Sequence, residues 1–131
     1  MIKVVSIVVK SILGVLACMV VLDKTVTPLV TVMGNSMFPT YRDREMFLSK
    51  RVFNHQKLEV GDVVVLKNPS DKGHTILVKR IWYFEFSEGV KTKVAVLGDN
   101  EDNSYDSREF GTFPIENIMC VAWKSRPRKV V

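Results

Sequence analysis

The chain opens on one apolar pattern and continues in another. From Val4 to Leu22, 19 residues hold a single charge, Lys10. As a helix that run reaches roughly 28 Å, close to the thickness of a bilayer's hydrocarbon core. After Leu22 the apolar positions fall into short runs broken by turn residues, which is the signature of strands. The predicted strands are Leu29–Met33, Glu45–Ser49, Asp62–Leu66, His74–Phe86, Lys93–Leu97 and Asn117–Trp123. Asn68-Pro69 ends the third, because proline cannot donate to a ladder, and Ser87-Glu88-Gly89 turns the chain between the fourth and fifth. No stretch after Leu22 carries a helical stripe over ten residues, so helix is expected there only as a turn near Tyr41 or Ile115. The expectation is a mainly β domain, residues 25–131, behind an N-terminal transmembrane helix, residues 1–24.

Charge orients the anchor. A charge at the centre of a span costs about 3 kcal/mol, but Lys10 lies nearer the N-terminal end, where its stem can snorkel toward the headgroups. The amino terminus, Lys3 and Lys10 all sit on one flank, while Asp23-Lys24 on the other is balanced. The positive-inside rule therefore puts the N-terminus in the cytoplasm and the β domain on the outer face. A cleaved secretory signal competes with this reading, but Asp23, Lys24 and Thr25 do not form a small-residue cleavage site, and Leu16 suits a lipoprotein cut before Cys18 poorly. A retained anchor is expected.

The 131 residues, 47% hydrophobic and 25% charged, suit one modest ordered domain rather than a disordered chain. The net charge of +5 fits an anionic membrane surface or nucleic acid and proves neither. Its densest stretch, Lys124 to Lys129, reads as a solvated terminus. Cys18 and Cys120 are too far apart in sequence for a disulfide framework or zinc site and are expected to be buried thiols. His55 and His74 lack ligand spacing, so no metal is expected.

Three segments carry candidate chemistry. In Gly34-Asn35-Ser36-Met37-Phe38-Pro39-Thr40, glycine permits an unusual backbone angle and proline fixes the far side. A serine in such a turn can present its hydroxyl clear of a sheet, beside free N–H groups able to bind an oxyanion. On its own the segment also reads as an ordinary turn. In Leu77-Val78-Lys79-Arg80-Ile81 a lysine sits inside an apolar strand. Buried there, it would lose proton affinity and could take a proton from serine without a histidine; the other reading is a lysine facing solvent on an alternating strand. Leu97 to Gly111 is dense in hydrogen-bonding turn residues and reads as an ordered loop. A calcium loop starting at Asp99 fails, because Ser104 takes the glycine position and Phe110 the glutamate position. Asp106 and Arg108 can instead form a structural ion pair. Gly-x-Ser-x-Gly fails at Phe38, and Ser-x-x-Lys fails at Pro39.

Taken together, these segments resemble the type I signal peptidases, including their mitochondrial inner-membrane relatives. Gly34–Thr40 looks like the serine box, Gly61–Val65 the following strand, Lys79-Arg80 the lysine box, and Gly98-Asp99-Asn100 through Asp106-Ser107-Arg108 and Gly111 the last box. The resemblance covers roughly residues 28 to 123. It implies a signal-peptidase/LexA-like β domain whose apolar face meets the lipid bilayer, acting on the signal peptides of exported preproteins without a cofactor. Ser36 would be the nucleophile and Lys79 the general base. Ser104 would orient the lysine, and Arg80, Asp99, Asp106 and Arg108 would brace the site by ion pairs. The turn residues Gly34 and Asn35 would support the oxyanion, with Met37 and Pro39 shaping the turn. The substrate would lie extended along Val30 to Met33, over shallow apolar pockets that Val30, Val32, Met33 and Met37 help to line.

The chain departs from the family at three places. Gly34 replaces a serine that assists the oxyanion hole in some members, and Glu101 stands where many bacterial members have arginine. Only 17 residues separate Arg80 from Gly98, which leaves no room for the extra β domain of large bacterial members. A cell-membrane location follows, with the mitochondrial inner membrane as alternative. A partner subunit is possible, since the mitochondrial-type relatives work in pairs. Two rivals remain: a self-cleaving regulator like LexA, which would need DNA-binding helices where the apolar span stands, and a catalytically silent membrane-anchored β module. With the span in that place, no nucleic-acid partner is expected.

Overall fold

The structure is a computed structural model that describes residues 1–25 and 27–129, with side chains described outside 22–28. Helix α1 spans Ile2–Thr25. Its Ile2–Val21 stretch is long and apolar enough to cross a membrane, and none of it is buried against the rest of the chain. Val4, Val5, Val8, Val9, Val15 and Val20 are β-branched, a composition with only moderate helix propensity in water. In lipid the balance shifts, because a helix alone satisfies every backbone group within one segment. Cys18 lies on this helix and is exposed, and Cys120 is half-buried. The expectation of two buried thiols is thus corrected: among the described residues the Ile2–Val21 stretch packs no face against the β domain, so no part of the domain covers Cys18.

Seven strands follow among the described residues: β1 Thr27–Thr31, β2 Met46–Arg51, β3 Val63–Lys67, β4 Ile76–Ser87, β5 Val90–Leu97, β6 Phe113–Pro114 and β7 Ile118–Ala122. They form one antiparallel sheet in the order β1-β2-β7-β3-β4-β5-β6. The first predicted strand is shifted: β1 stops at Thr31, so Val32 and Met33 lie beyond it. The remaining predicted strands match within a few residues, and β6 was not foreseen because two residues carry no period.

Central strand β3 explains the core. Val63, Val64, Val65 and Leu66 are all buried, an unbroken apolar run of the kind that needs cover on both faces. Val64 and Leu66 join Ile81, Val94, Val96, Phe113, Ile115 and Ile118 in one cluster. Val63 and Val65 join Val32, Met37, Tyr41, Phe47 and Ala122 in a second. The segment after β1 therefore covers one side of β3, and the segment after β5 covers the other.

Three short elements lie in the connections that reach the site. Residues 36–40 form a turn whose Met37 carbonyl accepts from the Tyr41 N–H at 2.9 Å, where a helical turn was expected. The expected turn near Ile115 is a 3-10 turn, Ile115–Asn117. Helix α2, Ser107–Phe110, is a single turn capped by Asp106, whose carboxylate accepts from the Arg108 N–H while Glu109 accepts from the Asp106 N–H.

The basic tail is exposed, as the sequence suggested, but it is tied to the domain rather than free. Ser125 Oγ accepts from the Val63 N–H at 2.8 Å. Arg126 reaches Glu45 at 2.7 Å and the Thr40 carbonyl at 3.2 Å, and its guanidinium lies 4.8 Å from the Tyr41 ring centroid. The Lys129 N–H donates to Thr40 Oγ1 at 3.0 Å. Thr40 and Glu45 accept from Arg126 and Lys129 while Ser125 accepts from β3, and these bonds offset the entropy of a free end.

Candidate active site

Ser36 sits at the head of a turn clamped from both sides. Gly34 adopts φ 87°, a left-handed angle that glycine accepts at no steric cost, and its N–H donates to Asp43 Oδ1 at 2.7 Å. Beyond the serine, Met37 and Tyr41 are fully buried beneath the turn. The Phe38–Pro39 peptide is cis. Buried anchors on one side and a bonded glycine on the other leave Ser36 half-exposed at the crest. Among the described residues its N–H has no acceptor, so a donor remains free beside the hydroxyl.

The Gly98-Asp99-Asn100 segment holds this crest in place. The Asn100 N–H donates to the Ser36 carbonyl at 2.9 Å, and its side-chain amide donates to the Asn35 carbonyl at 3.0 Å. Gly98 has no room for a side chain: a Cβ there would stand 2.0 Å from Ser104 Oγ and 2.6 Å from the Ser36 carbonyl oxygen. The serine turn and the Ser104 side chain thus meet over one glycine.

Lys79 enters from β4. It pairs directly across from Val64 and lies one alternation from Ile81, both core residues. Pairs directly opposite share a face, so the Lys79 stem runs through apolar surroundings. The residue is 3% exposed, and Nζ donates to Ser104 Oγ at 3.1 Å. Burial pushes its pKa below the ordinary lysine value; Asp106 opposes that, Arg108 adds to it, and Glu109 opposes it.

Ser104 in turn donates to Asp106 Oδ2 at 2.9 Å. Asp106 is fully buried and also accepts from the Gly98 N–H at 2.9 Å and from Arg108, whose Nη2 lies 2.8 Å away. Burial would raise its pKa, but the Arg108 guanidinium and the two backbone donors outweigh it and hold the carboxyl well below its usual range. A second pair, Arg80–Asp99, is bidentate at 2.9 and 2.8 Å, with Arg80 also donating to the Gly61 carbonyl at 2.8 Å.

The expected residues fall into three groups. Lys79, Ser104, Asp106 and Arg108 form one continuous chain of contacts, and Arg80–Asp99 flanks it. Ser36 joins through its backbone, since its hydroxyl makes no hydrogen bond among the described residues. Of the substrate-lining set, Val32 and Met37 are core residues with 1% and 0% exposure, whereas Val30 is half-buried and Met33 is open to solvent. The close approach at Gly98 and the double clamp of Asn100 were not read from the sequence. The Gly-Asp-Asn run held the signal, because a glycine not needed for a positive φ marks tight packing.

The site thus gathers a buried lysine, the Ser104 hydroxyl bonded to it and a glycine-led serine turn on an antiparallel sheet that follows an apolar helix. The family model described as "Signal peptidase, peptidase S26" matches residues 5–82 and 87–123, and the chain belongs to that family. Among curated relatives, it is 30% identical over 107 residues to "Mitochondrial inner membrane protease subunit 1" of Xenopus tropicalis. That match spans 67% of this chain and 64% of the relative.

Proposed function

We propose that the chain is a membrane-anchored serine endopeptidase that removes N-terminal signal segments from exported preproteins, with Ser36 as nucleophile and Lys79 as general base. The observation that carries this reading is Lys79 itself. It is an amine buried in an apolar sheet, its proton affinity lowered, its Nζ held by Ser104 next to the turn that bears Ser36. A structural lysine has no need of that burial; a general base does.

The steps follow from these positions. Neutral Lys79 takes the proton from Ser36 Oγ as that oxygen attacks the scissile carbonyl carbon. The resulting oxyanion accepts from the free Ser36 N–H. Protonated Lys79 gives its proton to the departing amine, and the C–N bond breaks to leave an acyl ester on Ser36. Water, deprotonated by Lys79, then cleaves the ester and restores the hydroxyl. Hydrogen bonds of this kind tighten only in the substrate complex, which accounts for the open Ser36 hydroxyl. Among the described residues β1 is an unpaired sheet edge, and a substrate strand added there would run on past Met33, with small side chains against Val30 and Met33.

In this reading residues 1–24 are the anchor and 25–131 the catalytic domain, which stands on the face opposite the cytoplasm of a cell membrane. The relative's designation as a subunit supports adding a partner subunit to the assay. Cleavage of a detergent-solubilised preprotein should occur after its signal segment with the parent chain and be lost in Ser36→Ala and Lys79→Ala. Cutting that survives Ser36→Ala sinks the mechanism. A folded parent chain that never cuts, alone or with a partner subunit, sinks the enzyme reading.

A further inference from the structure

We infer that the cavity at the anchor end of the β domain binds the phosphate headgroup of an anionic phospholipid. The cavity has a volume of about 370 Å³ and lies between the end of β2, the segment 52–58 and the end of β7. Three cations line it, Lys50, Arg51 and Lys57, and among the described residues none of them has an ion pair. The one carboxylate in the lining, Asp62, already accepts from the Glu59 N–H at 2.9 Å. Two arginines elsewhere in this domain do find carboxylates, Arg126 at Glu45 and Arg128 at Glu101. A cavity that gathers three cations without such partners is complementary to an anion.

The fold says which anion. Helix α1 ends at Thr25 and β1 starts at Thr27, paired with Ser49 of β2. The chain therefore leaves the anchor beside Ser49, and the next two residues along β2 are Lys50 and Arg51. Two aromatic side chains stand at the same cavity, Phe53 at 75% exposure and Trp123 at 58%, with Lys50 Nζ 5.7 Å from the Trp123 ring centroid. Trp123, an amphipathic ring beside cations, suits the headgroup layer, where such rings sit at the interface and cations meet phosphate. An α1 crossing the membrane holds this cavity against lipid phosphates, so a lipid is favoured over free phosphate. The family's expected membrane contact is through an apolar face; a charged pocket selective for anionic headgroups is a separate property, and it does not depend on Ser36 or Lys79.

The test uses the full chain with Trp82→Phe, leaving Trp123 as its one tryptophan, reconstituted in vesicles of phosphatidylcholine and phosphatidylglycerol. One lipid at a time carries bromine on its upper acyl chain as a quencher. At equal mole fraction, brominated phosphatidylglycerol should quench Trp123 severalfold more than brominated phosphatidylcholine. Each cation contributes roughly a fivefold enrichment near an anionic surface. Lys50→Gln with Arg51→Gln and Lys57→Gln should equalise the two quenchers, while Lys50→Arg with Lys57→Arg keeps the preference and controls for folding. Equal quenching in the parent chain overturns the inference, as does a preference unchanged by the triple glutamine variant. Loss of the preference on adding millimolar inorganic phosphate at constant ionic strength also overturns it, by making this a free-phosphate site.

Discussion

Placing Lys79 opposite Val64 costs the folded state whenever the amine carries its proton. Its folded pKa lies below the ordinary lysine value and its unfolded one does not, so between the two the unfolded chain binds more protons. Stability therefore rises with pH across that window, and the penalty is complete below it. Lys79→Met should accordingly be inactive yet more stable near neutral pH, by about 1–3 kcal/mol. Its advantage should shrink as pH climbs toward the lysine range, a trend that urea unfolding at several pH values checks. Activity of the parent chain should fall on acidification through the lowered pKa, since only the neutral amine accepts a proton. Asp106 has the opposite sign: its depressed pKa gives stability that is present above the ordinary value of 3.8 and lost as pH falls through the lower folded value. Acid inactivation should thus precede acid unfolding, and comparing the two midpoints tests that order. Gly98→Ala is the sharpest steric test. Its Cβ would collide with Ser104 Oγ and the Ser36 carbonyl, so it should cost about 1–3 kcal/mol of stability and most of kcat. An active, stable Gly98→Ala protein would show that the two segments do not meet as described.

Among the elements, the connections decide the site and the strands supply its frame. Strand periodicity located β2 to β5 and β7 because alternating or continuous apolar runs leave a pattern in sequence. It missed β6, α2 and the strapping of the tail, since these rest on hydrogen bonds to distant partners. Arg126 had no local signal; its acceptors, Thr40 and Glu45, are more than eighty residues away. The serine and lysine segments were legible because glycine, proline and a lysine among β-branched residues each break a local rule. The resemblance had already pointed to Ser104 beside Lys79; what could not be read was the hold of Asn100 on the Ser36 and Asn35 carbonyls. Two predictions belong at this scale. Ser104→Ala removes the hydrogen bond to Lys79 Nζ and should lower kcat about ten- to a hundredfold with KM little changed. Arg126→Ala releases the back of the serine turn. The pair is partly exposed, so its loss should cost only about 1 kcal/mol from ion pair and ring contact together. A drop in melting temperature with KM unaltered is the expected readout.

For the whole molecule, the division between an apolar helix and a β domain was plain from the two patterns, because membrane and water impose different periods on a chain. The helix buries none of its Ile2–Val21 stretch against the domain, and that stretch is long and apolar enough to cross a membrane. That makes its central residues the sensitive ones. Lys10 is tolerated within reach of the N-terminal headgroups, but a second cation deeper in the span has no such exit. Leu13→Arg adds about 3 kcal/mol to insertion on scales for a helix centre, a shift of roughly a hundredfold in the insertion equilibrium. The variant should move from the carbonate-resistant membrane pellet into the soluble or aggregated fraction, while Leu13→Phe stays in the pellet. If Leu13→Arg partitions like the parent chain, α1 does not cross a bilayer. The domain would then meet lipid only through its own surface, and the cationic cavity would lose the tether that brings it to the headgroups.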